Sequence, residues 1–271
     1  MNINIYIYGN WKMNFGPLGA AAYVRSLSDV FVHDVVKVSI FPPTVSLYAV
    51  YKEIESTQNY VSGKISLGAQ NCDWRESGAV TGETSVDMVK GFCSEILVGH
   101  SERRSLFGES EAIINKKIAS NIEKGLRSVL CIGETDFHHI ESREPNRVLQ
   151  EQLSNSLRSI DLNENNCEKL IVAYEPVWAI GTGKSATSEI AEKRCDHIKA
   201  QLAIKYGEVV ASKIPILYGG SVDEKNASSY LEARSINGLL VGGASLDESK
   251  FRSIIKIAND LSSSKNQKEG N

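Results

Sequence analysis

Short apolar runs alternate with longer amphipathic stretches along the whole chain. Ile3-Asn4-Ile5-Tyr6-Ile7-Tyr8 is rich in β-branched and aromatic residues and predicts a strand. Residues 17 to 32 carry apolar positions at helical spacing. Val35-Val36-Lys37-Val38-Ser39-Ile40-Phe41 predicts a second strand. Pro42-Pro43 stop it, having no N–H to donate to a ladder. A helix through Tyr48, Val50 and Ile54 follows. The unit then recurs, with strands expected at 64–71, 95–100, 127–133, 170–174, 214–218 and 238–241. Helical patterns fall between them: a short one after residue 83, one over 109–124 with Ile113, Ile114, Ile118 and Ile122 on one face, and one through Val148, Leu149 and Leu153. Three more lie over 187–206, near 224–233 and near 260.

Eight strands alternating with eight helical segments predict an α/β fold with a parallel sheet, and eight units predict its closure. The expected architecture is a single (β/α)8 barrel, eight parallel strands ringed by helices, over residues 1–261. The 271-residue length fits one such barrel, ~250 residues in the usual case. No linker or second domain stands out. The polar tail 262–271, S-S-S-K-N-Q-K-E-G-N, is expected to be disordered.

Charge and cysteine content narrow the function class. With 30 basic and 33 acidic residues the net charge is −3, which offers no electrostatic basis for nucleic-acid binding. No apolar run reaches ~18 residues, so no membrane span is expected, and the N-terminus lacks the basic region of a secretory signal. Cys72, Cys93, Cys131, Cys167 and Cys195 form an odd set without a C-x-x-C pair. Free thiols in a reducing cytoplasm fit this better than disulfides or a zinc site.

The candidate chemistry clusters at the C-terminal ends of the expected strands, where barrels of this kind build their sites. Those positions hold Asn10 and Lys12, His100, Glu175, Ser221, Gly242 and Gly243. Alone, Lys12 reads as a solvated lysine, His100 as a structural histidine and the glycine pairs as tight turns. Together at one barrel mouth they read as a site. Phosphate is held after strands 7 and 8 in such barrels, which is where Ser221, Gly242 and Gly243 fall. A small phosphorylated metabolite is therefore the expected ligand. Glu175 is followed by Pro176, an apolar segment and Gly181-Thr182-Gly183-Lys184, which suits a base beneath a closing lid. A carboxylate, a histidine and a lysine without a metal cluster suffice for proton abstraction next to a carbonyl, with no cofactor.

Several strings make the sequence similar to the triosephosphate isomerase family: G-N-W-K-M-N at 9–14, G-A-Q-N at 68–71, G-H-S-E-R-R at 99–104, C-I-G-E at 131–134, A-Y-E-P-V-W-A-I-G-T-G-K at 173–184, Y-G-G-S-V at 218–222 and V-G-G-A-S at 241–245. The resemblance covers roughly residues 5 to 260. It implies interconversion of dihydroxyacetone phosphate and D-glyceraldehyde 3-phosphate, a step of glycolysis and gluconeogenesis. By matching position it implies Glu175 as the base, His100 as neutral electrophile, and Lys12 as the catalytic cation that helps hold substrate and enediolate, with Asn10 beside it as a substrate-binding hydrogen-bond donor. Glu102 becomes the partner of the lysine, and residues 176–184 the lid. Gly181, Ser221, Gly242 and Gly243 become the phosphate grip. It also implies a homodimer in which the long loop from Cys72 to Glu83 enters the partner subunit, with Thr81 near the partner's Asn-Lys segment.

Two departures from the family pattern are visible. Val80 stands where the family commonly has phenylalanine, and the loop at 135–144 is enlarged by a few residues. Its adjacent His138 and His139 lack a carboxylate cluster and are read as a solvated loop, with no metal expected. Two other classes would share some of these features. A sugar-phosphate epimerase or indole-forming synthase would share the Gly-Gly turns but is not expected to carry both H-S-E-R-R and Y-E-P-V-W. A phosphate-binding barrel without turnover would be expected to have lost Lys12, His100 or Glu175, and all three are present.

Overall fold

Strand alternation decides what faces where. The computed structural model describes residues 4–135, 144–179 and 185–269. Its strands are β1 (Ile5–Asn10), β2 (Val36–Phe41), β3 (Ile65–Ala69), β4 (Glu95–Val98), β5 (Arg127–Ile132), β6 (Leu170–Tyr174), β7 (Ile216–Tyr218) and β8 (Gly238–Val241). Each pairs in parallel with the next, and β8 pairs with β1, closing an eight-stranded barrel as expected. Because side chains alternate at period two, Ile5 and Ile7 of β1 face the helices while Tyr8 faces the barrel axis. Tyr8, Phe41, Leu97, Val129, Ile171, Ala173, Leu217 and Leu240 fill that axis. The larger core lies between the sheet and the helices.

The helices are α1 (Pro17–Ser26), α2 (Leu47–Ile54), α3 (Gln58–Val61), α4 (Val86–Val89), α5 (Ser101–Phe107), α6 (Glu111–Glu123), α7 (Glu144–Ser156), α8 (Ser188–Tyr206), α9 (Glu208–Lys213), α10 (Ala227–Glu232) and α11 (Glu248–Glu269). Pro17 opens α1, where a missing N–H costs nothing, and Ser110 and Thr187 cap α6 and α8 with their side-chain oxygens. α3, α5 and α9 have no counterpart in the hydrophobic pattern. α5 leaves Leu106 and Phe107 exposed, so no apolar stripe marks it. α9 has only six residues, too few to show a period.

Residues 262–269 continue α11, and Ser262, only 3% exposed, donates its hydroxyl to the Asn259 carbonyl. A helix nucleated on the buried Phe251, Ile254, Ile255 and Ala258 propagates at one hydrogen bond per residue, even through polar sequence. Residues 136–143, with His138 and His139, lie outside the described residues, as do 180–184.

Candidate active site

Alternation past the end of β6 carries the inward stripe of Ile171 and Ala173 on to Glu175. This carboxylate is 1% exposed. Its Oε1 lies 3.0 Å from His100 Nε2, and its Oε2 accepts the Ser101 N–H at 2.9 Å. Gly133 at the end of β5 makes room for it: a Cβ there would stand 1.6 Å from the Glu175 carbonyl oxygen.

His100 is the cap of α5. Its Nδ1 accepts the Glu102 N–H at 3.2 Å, which assigns the ring proton to Nε2 and makes Nε2 the donor. Burial works against charge on both partners. Burial is the largest influence at Glu175, and the facing imidazole, the Ser101 N–H and the Lys12 charge together overcome it and hold the pKa below the ordinary glutamate value. At His100 burial pulls the pKa down, and the Glu175 carboxylate outweighs it and draws the pKa above the ordinary value. That upward pull lasts only while Glu175 faces the ring.

Lys12 follows β1 and reaches across the mouth, its Nζ 2.6 Å from Glu102 Oε1. Its backbone has φ 52°, the left-handed region that costs a non-glycine residue ~1–3 kcal/mol. Two side chains hold it there. Asn10 Oδ1 accepts the Lys12 N–H at 3.0 Å, and Gln70 Nε2 donates to the Lys12 carbonyl at 2.7 Å. Ser221 follows β7 and donates its hydroxyl to the Ala179 carbonyl at 3.3 Å. Gly242 follows β8, where a Cβ would stand 3.8 Å from Lys12 Cε.

Asn10, Lys12, His100, Glu102, Glu175, Ser221, Gly242 and Gly243 all line one cavity of about 860 Å³ at the C-terminal ends of the strands. Gly181 lies outside the described residues. Thr81 is exposed, away from this cavity, on a loop pinned at its base by the Asp73 N–H on the Thr84 carbonyl. Among the described residues no cluster of three or more histidine, cysteine or carboxylate side chains forms a metal site, and no helix is long and apolar enough to cross a membrane. All five cysteines are free thiols and buried.

A model of the triosephosphate isomerase family matches residues 5–258. The chain belongs to the triosephosphate isomerase family. A triosephosphate isomerase of Dehalococcoides mccartyi is 41% identical over 256 residues, covering 94% of this chain and 96% of its own. That of Syntrophotalea carbinolica is 42% identical over 260 residues, covering 93% and 97%. That of Clostridium botulinum is 39% identical over 255 residues, covering 93% and 98%. The (β/α)8 fold read from the sequence is thus the fold of an isomerase family.

Three supporting side chains escaped the reading of the sequence as contributors to the site. Glu134, 2% exposed, accepts from Tyr174 Oη at 2.8 Å and from Trp178 Nε1 at 3.2 Å, and its carbonyl accepts the Val177 N–H at 3.0 Å. It therefore ties down the start of the segment after Glu175. Burial raises its carboxyl above the ordinary glutamate value, the two side-chain donors notwithstanding. Gln70 and Tyr174 are the others. The C-I-G-E string held the one available signal, and nothing in it says which strand Glu134 will face.

Proposed function

We propose that this isomerase interconverts dihydroxyacetone phosphate and D-glyceraldehyde 3-phosphate through an enediolate. The observation that carries the reading is the Glu175–His100 pair, a buried carboxylate against an imidazole whose Nδ1 is occupied by a main-chain N–H. Glu175 turns from His100 to the substrate, removes the proton from the carbon beside the carbonyl and returns it to the neighbouring carbon. His100, neutral once Glu175 has turned away, donates from Nε2 to the substrate oxygens, and Lys12 with Asn10 holds substrate and developing negative charge. Glu102 keeps the lysine extended across the mouth. Ser221, Gly242, Gly243 and, by family resemblance, Gly181 receive the phosphate. The loop 176–184 serves as lid. Excluding water protects an enediolate that would otherwise expel phosphate, and it strengthens the electrostatics inside. This chemistry needs no cofactor.

The test is a coupled assay of D-glyceraldehyde 3-phosphate conversion with wild type and Glu175→Gln in parallel. Turnover should fall by several powers of ten in the variant, ~1.4 kcal/mol for each, with an unchanged circular dichroism spectrum. Near-normal turnover in a folded Glu175→Gln would remove Glu175 as the base. A folded wild type that binds phosphoglycolate without turnover would overturn the activity.

The active form in this reading is a cytoplasmic homodimer. Met13 and Phe107, 94% and 66% exposed, flank a groove of about 420 Å³ beside Lys12, Gln70 and Glu102. An apolar rim of this kind suits burial by a second copy, with the partner's Thr81 loop filling the groove. Sedimentation showing a monomer at micromolar concentration would exclude this arrangement.

A further inference from the structure

The alternation that sets Glu175 at the top of the barrel sets charge at its other end. Counting back by two from Asn10 along β1 gives Tyr8 and Tyr6, and from Phe41 along β2 gives Ser39 and Lys37. The same count gives Glu95 from Leu97 and Arg127 from Cys131. Here the N-terminal layer of the barrel is not filled by aliphatic side chains. It forms a half-open cavity of about 460 Å³ whose lining includes Tyr6, Tyr8, Lys37, Tyr60, Ser66 and Arg127. That volume lies within the ~300–1,000 Å³ of small-molecule sites. The apolar layer of Tyr8, Phe41, Leu97 and Val129 separates it from the catalytic mouth.

The polar groups of this cavity are unevenly satisfied. Glu95 is 0% exposed and its carboxylate is fully engaged: Oε1 accepts from Ser66 Oγ at 2.7 Å, and Oε2 accepts from Arg127 Nη1 at 3.1 Å and from the Tyr8 hydroxyl. Arg127 Nε donates to the Glu168 carbonyl at 2.8 Å. Three donors remain without an acceptor among the described residues: Arg127 Nη2, Lys37 Nζ and the Tyr6 hydroxyl. The cavity lining carries two cations, Lys37 and Arg127, and no carboxylate; Glu95 lies against Arg127, and Asp34, paired with Lys64, also attracts Lys37. The rings of Tyr6, edge-on to Tyr8 at 5.9 Å, and Tyr60 add apolar surface beside it.

We propose that this cavity is a second ligand site, for a small organic anion whose carboxylate or phosphate accepts from Lys37, Arg127 and Tyr6 while a flat or apolar body lies along the tyrosines. A pocket that combines apolar walls with a few convergent donors suits such a ligand. Charge-assisted hydrogen bonds from arginine and lysine supply the orientation.

The test uses full-length protein with its catalytic mouth saturated by phosphoglycolate. Inorganic phosphate and benzoate are then titrated calorimetrically as separate probes. Saturable binding of at least one probe is expected, with Kd on the order of 1 mM, weakened about tenfold by Lys37→Gln. Tyr6→Phe should weaken it less. Both variants leave the Glu95–Arg127 pair intact, and their isomerase turnover certifies the fold. Binding of phosphate alone would support a phosphoryl ligand, and binding of benzoate alone a carboxylate on an aromatic body. No saturable binding of either probe overturns the proposal. So does binding that neither variant changes.

Discussion

The side-chain amide of Gln70 donates to the main-chain carbonyl of Lys12 at 2.7 Å and to that of Phe41 at 2.8 Å. One side chain thus ties the strained Lys12 backbone to the end of β2. Gln70→Ala leaves both carbonyls without this donor and lets Lys12 relax from φ 52°. We expect kcat/KM to fall roughly 10- to 100-fold, because the lysine head is displaced from the mouth. Unfolding should shift little. Steady-state kinetics beside thermal unfolding check this, and unchanged kinetics would mean that Asn10 alone holds the lysine.

Gly133→Ala acts on Glu175, the proposed base. The new methyl falls 1.6 Å from the Glu175 carbonyl oxygen, on backbone that has to move. A shift of ~1 Å in a catalytic group costs on the order of 100-fold in rate, and that loss is expected here. Gly91→Ala, with nothing within 4 Å of the added Cβ, serves as the control and should keep wild-type turnover.

The long loop after β3 carries its own pH dependence. The Arg75 side chain and its N–H hold the Asp73 carboxyl down at about 2, below its ordinary value of 3.8, against the opposing effect of burial. A depressed carboxyl contributes stability above its unfolded pKa and loses it as pH falls through the folded one. The anchoring of this loop should therefore be full above pH ~4 and fade towards pH ~2. Proteolytic nicking within residues 74–83, followed against pH, should rise across that window. Asp73→Asn should be nicked at one rate throughout it.

Glu95 and Arg127 are a stability pair. Arg127→Met leaves a fully buried carboxylate without its cation, and we expect a loss of about 3–5 kcal/mol in denaturant unfolding. Adding Glu95→Gln should restore most of it. No restoration would show that the arginine acts through its bond to the Glu168 carbonyl instead.

The main features of barrel and mouth were legible in the sequence. Eight apolar runs, each broken by glycine, proline or a polar group, specify eight strands. Asn10, Lys12, His100, Glu175, Ser221, Gly242 and Gly243 fall at their ends because the chain direction of every strand in a parallel barrel is the same.

Local features follow from the order of residues: the period of the side chains, the breaks between elements, and which residue types stand at each strand end. Tertiary structure alone decided the pairings across strands. Glu134 meets Trp178, Gln70 meets Lys12, and Glu95 meets Arg127 only when the barrel closes with its particular stagger. Hydrogen bonds and charge pairs depend on distances of a few ångströms between residues far apart in the chain, whereas hydrophobic periodicity is written into neighbours.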